Sequence, residues 1–132
     1  MILIDTALLN SLTEQAKSSP RLRMNLDLRP SDADTSQRML NAIEPESVVP
    51  VHRHRKTSDT MVVLRGSLVD EFYDDAWVCI ERIEMSSGSD VCLLNIPAGT
   101  WHTLRALESG TVILEMKDGA FEPIGPEDVM NV

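Results

Sequence analysis

The stretch that decides the fold is VPVHRHRKTSDTMVVLRG, Val49–Gly66, followed further along the chain by IPAGTWHTL, Ile96–Leu104. Ile96 stands 30 residues after Gly66, and between them the two stretches hold all three histidines of the chain, His52, His54 and His102. His52 and His54 are two apart beside an alternating apolar pattern. On a strand that spacing sends both rings to one face. If the face points into a barrel, two imidazoles meet in a sheltered interior, where a metal can replace lost hydration. Asp59 opens the next apolar run, DTMVVLRG, and a tight antiparallel turn returns its carboxylate towards the pair. In PAGTWH, Pro97 and Gly99 form a turn that delivers His102 at the start of a further strand. Three neutral nitrogen donors and one carboxylate suit Zn, Fe, Mn or Ni. A surface or hydrogen-bonded HxH pair is the competing reading of the first element alone.

Around this centre the period is that of strands. In RLRMNLDL, Leu22, Met24, Leu26 and Leu28 face one way and Arg21, Arg23, Asn25 and Asp27 the other. QRMLNAI, SVVPVHRH, TMVVLRG, LVDEFY, WVCIERIEM, VCLLNI, WHTLRAL and TVILEMK follow as short strands, punctuated by EPE, RKTS, GS, DDA, SSGSD, PAG and ESG. LVDEFYDDAWVCIERIEM reads as a hairpin turning at Asp74–Ala76. One helix is expected at the start, capped by Asp5 or Thr6, with Leu8, Leu9, Leu12 and Ala16 on its apolar face and Pro20 beyond its end. The expected division is a helical segment over 1–20, a β-barrel over 21–120 and an irregular tail over 121–132. Many short strands after one helix indicate an all-β barrel or two-sheet sandwich.

Length and composition agree with one soluble domain: 132 residues, 42% hydrophobic and 25% charged. The net charge of −9 argues against nucleic acid or an anionic membrane surface as partner, since both call for a cationic face. No apolar run approaches the roughly 18 residues of a membrane span, and MILIDTALLNSL lacks the basic start of a secretory signal. Cys79 and Cys92 show no CxxC spacing and read as two buried thiols in a reducing cytoplasm. Arg53, Arg55, Lys56 and Arg65 bracket the histidine pair, as either a basic rim for an anionic ligand or a solvated strand face. Met24, Met39, Met61 and Met85 read as core filler, and Glu115 and Lys117 as a cross-strand ion pair or as groups that move a proton. Trp101 and Phe72 are either core or the wall of a sugar pocket. No GxGxxG, P-loop, GxSxG or Cys–His arrangement competes.

Taken together, the two histidine segments resemble the cupin superfamily. His52-Arg53-His54, four residues, Asp59, six residues, Gly66 is similar to the first cupin motif, and Pro97-Ala98-Gly99-Thr100-Trp101-His102 to the second. Asp59 stands where the family has Glu, Glu46 where it has its first Gly, and Ala106 where the second motif ends in Asn. Beyond the motifs, SPRLRMN, QRMLNAIEPES, VVLRG and VILEMKDGAFEP resemble the WbuC-type cupin-fold metalloproteins over nearly the whole chain. The resemblance implies a single-domain cupin, a double-stranded β-helix of jelly-roll type. It implies one divalent transition metal on His52, His54, Asp59 and His102, and a link to bacterial surface-polysaccharide metabolism. Arg23, Asn25, Arg38 and Trp101 are the expected substrate-binding residues, for a sugar-like or anionic small molecule. The expected role is a metal-dependent isomerase or epimerase. A Fe(II) dioxygenase and a binder without turnover are the alternatives, and homodimerisation is a prior of the fold.

Overall fold

The computed structural model describes residues 1–130. The last two residues of the expected 121–132 tail lie outside them. Helix α1 (Thr6–Ser18) is followed by β1 (Arg23–Asp27), β2 (Ser36–Ile43), β3 (Asp59–Arg65), β4 (Ser67–Tyr73), β5 (Cys79–Ser86), β6 (Leu93–Ile96), β7 (Trp101–Ala106) and β8 (Thr111–Asp118). A short 3₁₀ turn covers Pro126–Asp128. The strands form two antiparallel sheets, ordered β1-β2-β8-β3-β6 and β5-β4-β7.

Side-chain parity sorts the five-stranded sheet into two functional faces. Met24, Leu26, Leu40, Ala42, Val112 and Leu114 point outward, where Leu8, Leu9, Leu12 and Ala16 of α1 cover them. The helix begins where Asp5 Oδ1 accepts the Leu8 N–H at 2.9 Å, satisfying one of the free amides of its first turn. The opposite parity, with Ile43, Met61, Val63 and Ile113, faces Leu68, Met85, Leu104 and Ala106 of the facing strands in the barrel core. No helix is long and apolar enough to cross a membrane among the described residues.

Two turns fix the barrel's geometry. Gly66, between β3 and β4, has φ 85°, and a Cβ there would sit 2.8 Å from the Thr111 Cα. Only glycine both adopts this conformation and lets β8 pass so close. The β4–β5 hairpin turns at the expected place, with Asp74 Oδ1 accepting from the Ala76 and Val78 amides at 2.9 and 3.0 Å.

Three local expectations need correction. SVVPVHRH is not a continuous strand: Pro50 has no N–H to donate, and His52 makes only isolated bridges, to His102 and Val129. The thiols are not buried. Cys79 is half-buried at the edge of its sheet and Cys92 is exposed in the loop before β6, both unbridged. Glu115 and Lys117 form no ion pair with one another: across β2 they face Met39 and Gln37, across β3 Glu115 faces Met61, and the charge that Lys117 feels there is that of Asp59.

Candidate metal centre

The two histidine segments meet through their backbones. His52 and His102 exchange both N–H···O bonds at 2.9 Å, and the Gly99 amide donates to the His54 carbonyl at 2.7 Å. The PxG turn, with Gly99 at φ 81°, therefore clamps itself against the HxH segment. As a result one ring nitrogen from each of His52, His54 and His102 lies within 4.8 Å of the others. The Nδ1 atoms of His52 and His102 are engaged, 2.8 Å from the carbonyl oxygens of Pro50 and Thr100. A carbonyl can only accept, so Nδ1 carries the proton and Nε2 keeps its lone pair for the centre.

Electrostatics keep the rings in the ligating form. Burial, reinforced by the neighbouring His102, pulls the His52 pKa down to about 4. Burial and the Lys117 charge bring His54 to about 3, and burial lowers His102 as well. All three are neutral at pH 7, as metal binding requires.

Asp59 lies beside them, 1% exposed, with Oδ2 at 3.8 Å from His54 Nε2 and 4.0 Å from His102 Nε2. Neither of its oxygens meets a hydrogen-bond donor. The neighbouring Glu115 carboxyl becomes a partner only if one proton is held between the two. Desolvation raises the Asp59 pKa, as it must for a buried carboxylate without donors. Ligand atoms sharing an ion with bonds of ~2.0–2.2 Å lie at most ~4.4 Å apart, and both Asp59 separations fall inside that limit. An orphaned carboxylate beside three neutral imidazoles fits a divalent transition metal.

The centre opens into a cavity of about 270 Å³, bordered by all three histidines, Arg21, Arg23, Asn25, Met39, Asn41, Glu115 and Lys117. A wider vestibule of about 790 Å³ continues outward, sharing Arg21, Asn25, Met39, His54 and Lys117 and walled on one side by residues 118–125. Arg23 and Asn25 thus stand where their strand parity sends them, on the cavity side of β1. Arg38 and Trp101 do not. Arg38 has the parity of Leu40, on the outer face, and pairs with Asp34 at 3.0 Å. Trp101 precedes His102 on β7, so it faces away from the cavity. Its Nε1 donates to Asp75 at 3.2 Å and the Arg53 guanidinium stacks on its ring at 4.4 Å. Of the four methionines read as inward core filler, Met24 instead lies on the outer face under α1, and Met39 faces inward but borders the cavity rather than the core.

The basic bracket around the HxH pair is largely neutralised. Arg53 and Arg55 share Asp128 at 2.8 and 2.6 Å, Lys56 meets Glu122 at 3.0 Å, and Arg65 turns to Asn10, Thr13 and the Gly110 carbonyl. Asp128 is buried and belongs to the tail, which Val129 and Met130 tie to the HxH segment through His52 and the Val51 carbonyl. Asp70 was not legible as a site-related residue. It is 0% exposed and both its oxygens lack donors; burial first, then the charges of Asp59 and Glu115, push its pKa up to about 7. Its inward parity in LVDEFY, shared with Leu68 and Phe72, was the available signal.

Residues 4–85 match the family described as "Domain of unknown function (DUF6016)". No curated protein matches the sequence. Among solved structures, KdgF from Halomonas sp. is 16% identical with a TM-score of 0.60, over 76% of this chain and 82% of that one. The capsular polysaccharide assembling protein CapF from Staphylococcus aureus is 21% identical with a TM-score of 0.63, over 85% of this chain and 32% of that one. A recombinant oxalate oxidase in complex with glycolate is 14% identical with a TM-score of 0.63, over 83% and 57%. The chain therefore spans about a third of CapF and just over half of the oxidase. These likenesses establish the fold: the two sheets form a cupin barrel.

Proposed function

The chain belongs to the DUF6016 family, whose description names no activity, and we propose that it is a mononuclear metal cupin acting on a small polar metabolite. The reading rests on one observation: three imidazoles held neutral, with an unpartnered buried carboxylate beside them, at the floor of a ligand-sized cavity. His52, His54 and His102 would hold a Zn, Fe, Mn or Ni ion, with Asp59 as fourth ligand. Such an ion acts as a Lewis acid towards a carbonyl or hydroxyl oxygen.

The protein's own side chains would do the rest. Arg23, oriented by the Val48 carbonyl at 2.7 Å, and the exposed Asn25 amide would bind and orient polar groups at the mouth. The Asn41 amide bonds to Glu115 Oε2 and fixes that carboxyl on the cavity wall. Burial raises the Glu115 pKa, so it can hold a proton near neutrality and return it to a substrate carbon or oxygen. Proton movement at an activated carbon suits isomerisation or epimerisation of a sugar derivative. The WbuC-like sequence segments and the fold likeness to a capsular polysaccharide assembling protein support a place in surface-polysaccharide metabolism. A homodimer formed across the exposed apolar edge at Trp77, Val78 and Ile80 belongs to the same proposal.

Elemental analysis of purified, tag-free protein beside a His52→Ala/His54→Ala double variant tests the reading. About one equivalent of a transition metal in the parent and none in the folded variant is expected. A metal-free parent that cannot be reconstituted would overturn it and leave a ligand-binding barrel. Iron as the sole metal would move the chemistry to a dioxygenase.

A further inference from the structure

We infer that the cavity selects an oxyanion-bearing molecule of monosaccharide size, whose carboxylate or phosphate is held at the mouth by Arg21, Arg23 and Lys117. This rests on the reading of the cavity as the substrate site of a metal protein, and it names the substrate's charge.

The observation behind it is the distribution of unpaired cations. The chain carries a net charge of −9, and most of its basic side chains are neutralised. Lys17, Arg29, Arg38, Arg53, Arg55, Lys56 and Arg82 each have a carboxylate within 4.0 Å. Arg65 is bonded to Asn10, Thr13 and the Gly110 carbonyl. Among the described residues, those with no carboxylate within 4.0 Å are Arg21, Arg23, Arg65, Arg105 and Lys117, and of these Arg65 is fully engaged by its three neutral acceptors away from the cavity. Three of these five border the cavity, and Arg105 is exposed on the outward side of β7. Unpaired charge in an acidic protein is thus concentrated at one place.

That place is also built. Ser47, 5% exposed, donates its hydroxyl to the Arg21 carbonyl at 2.7 Å and accepts from Arg23 Nη1 at 3.4 Å. Between the two arginines, Leu22 adopts φ 56°, a left-handed conformation disfavoured for leucine. The turn is locked by hydrogen bonds at 3.0 Å from Leu22 N to the Ser19 carbonyl and from Glu44 N to the Leu22 carbonyl. The Arg23 guanidinium meets only neutral acceptors, and burial together with the Arg21 charge depresses its pKa. Two cations held together without a counter-charge are relieved by an anion.

No acid on the surrounding walls comes within 4.0 Å of Arg21, Arg23 or Lys117, although Asp59, the proposed fourth ligand of the metal, feels the Lys117 charge. Glu115 is bonded to Asn41, Glu122 to Lys56, and Asp128 to Arg53 and Arg55. Size sets the other limit: about 270 Å³ falls just below the roughly 300–1,000 Å³ of drug-sized ligand cavities, which restricts the occupant to a small molecule.

Calorimetric titration of the metal-loaded protein with glucose, glucuronate and glucose 6-phosphate decides the matter. At least one of the two anions should bind about tenfold or more tightly than glucose, and the better anion identifies carboxylate or phosphate. Arg23→Gln and Lys117→Gln should each lose about tenfold in affinity for that anion with metal content unchanged, while Arg105→Gln, the same change in net charge, should lose nothing. Equal affinities for all three sugars, no saturable binding of either anion, or equal losses in all three variants would overturn the inference. Metal content, measured on the same samples, separates the two readings. Metal present without anion preference sinks this inference alone. Anion preference in a protein that takes up no metal sinks the metal reading and leaves the subsite standing.

Discussion

Asp70 offers the sharpest test of the barrel's internal electrostatics. Its carboxylate is fully buried on the inward face of β4, neither oxygen has a donor, and its pKa is pushed from 3.8 up to about 7. At about 1.4 kcal/mol per pH unit, that displacement makes ionised Asp70 cost the fold about 4 kcal/mol. The folded state holds the proton where the unfolded chain has released it. Stability therefore falls as pH rises from about 4 to about 7 and levels off above. The histidines slope the other way: neutral in the fold at pKa values of about 4 and 3 for His52 and His54, they cost stability as pH falls below the unfolded value of 6.5. The overall pH profile mixes the two, so the difference between Asp70→Asn and the parent is the quantity to measure. Urea unfolding of chelator-treated protein between pH 5 and pH 8.5 provides it. The variant's advantage should grow by about 2–3 kcal/mol across that range, since at pH 5 roughly 1.6 of the 4 kcal/mol is already present. The constant cost of burying the amide cancels in that comparison. A difference that stays flat with pH would show that Asp70 finds a partner or water in solution, and the reasoning from its isolation would fail.

Other consequences follow from single side chains. Asp59→Asn keeps the shape but removes the charge next to His54 and His102, so metal affinity by competition with a chromophoric chelator should drop at least tenfold; unchanged affinity would exclude Asp59 as a ligand. Gly66→Ala forces a Cβ against Thr111 at φ 85° and should cost about 2 kcal/mol or more in thermal unfolding. Asp5→Ala removes the cap on the Leu8 amide and should cost about 1 kcal/mol while leaving metal content intact. Light scattering on the eluting protein should give twice the chain mass, and Ile80→Glu, placed on the exposed edge of β5, should return it to one.

How much of this was legible in the sequence depends on whether information was local. Alternation in RLRMN puts Arg23 and Asn25 on one face of β1, and alternation in TVILEMK puts Glu115 and Lys117 on one face of β8, because period two is enforced by the backbone whatever packs against it. The same rule, applied to Trp101 beside His102 and to Arg38 beside Met39, sends both away from the cavity; proximity in sequence to a ligand is opposite orientation in a strand. What local pattern could not give was pairing across distance. That Asp128 would neutralise Arg53 and Arg55 depends on the tail returning some 73 residues later to the HxH segment. No periodicity encodes that return, and so in sequence the basic bracket reads either as a rim for an anion or as a solvated strand face. The ion pairs decide between them: the cations nearest the histidines in sequence are compensated, whereas Arg21, Arg23 and Lys117, from opposite ends of the chain, border the cavity with no carboxylate within 4.0 Å. Charge in an acidic protein is informative where it lacks a partner, and only the tertiary structure says where that is.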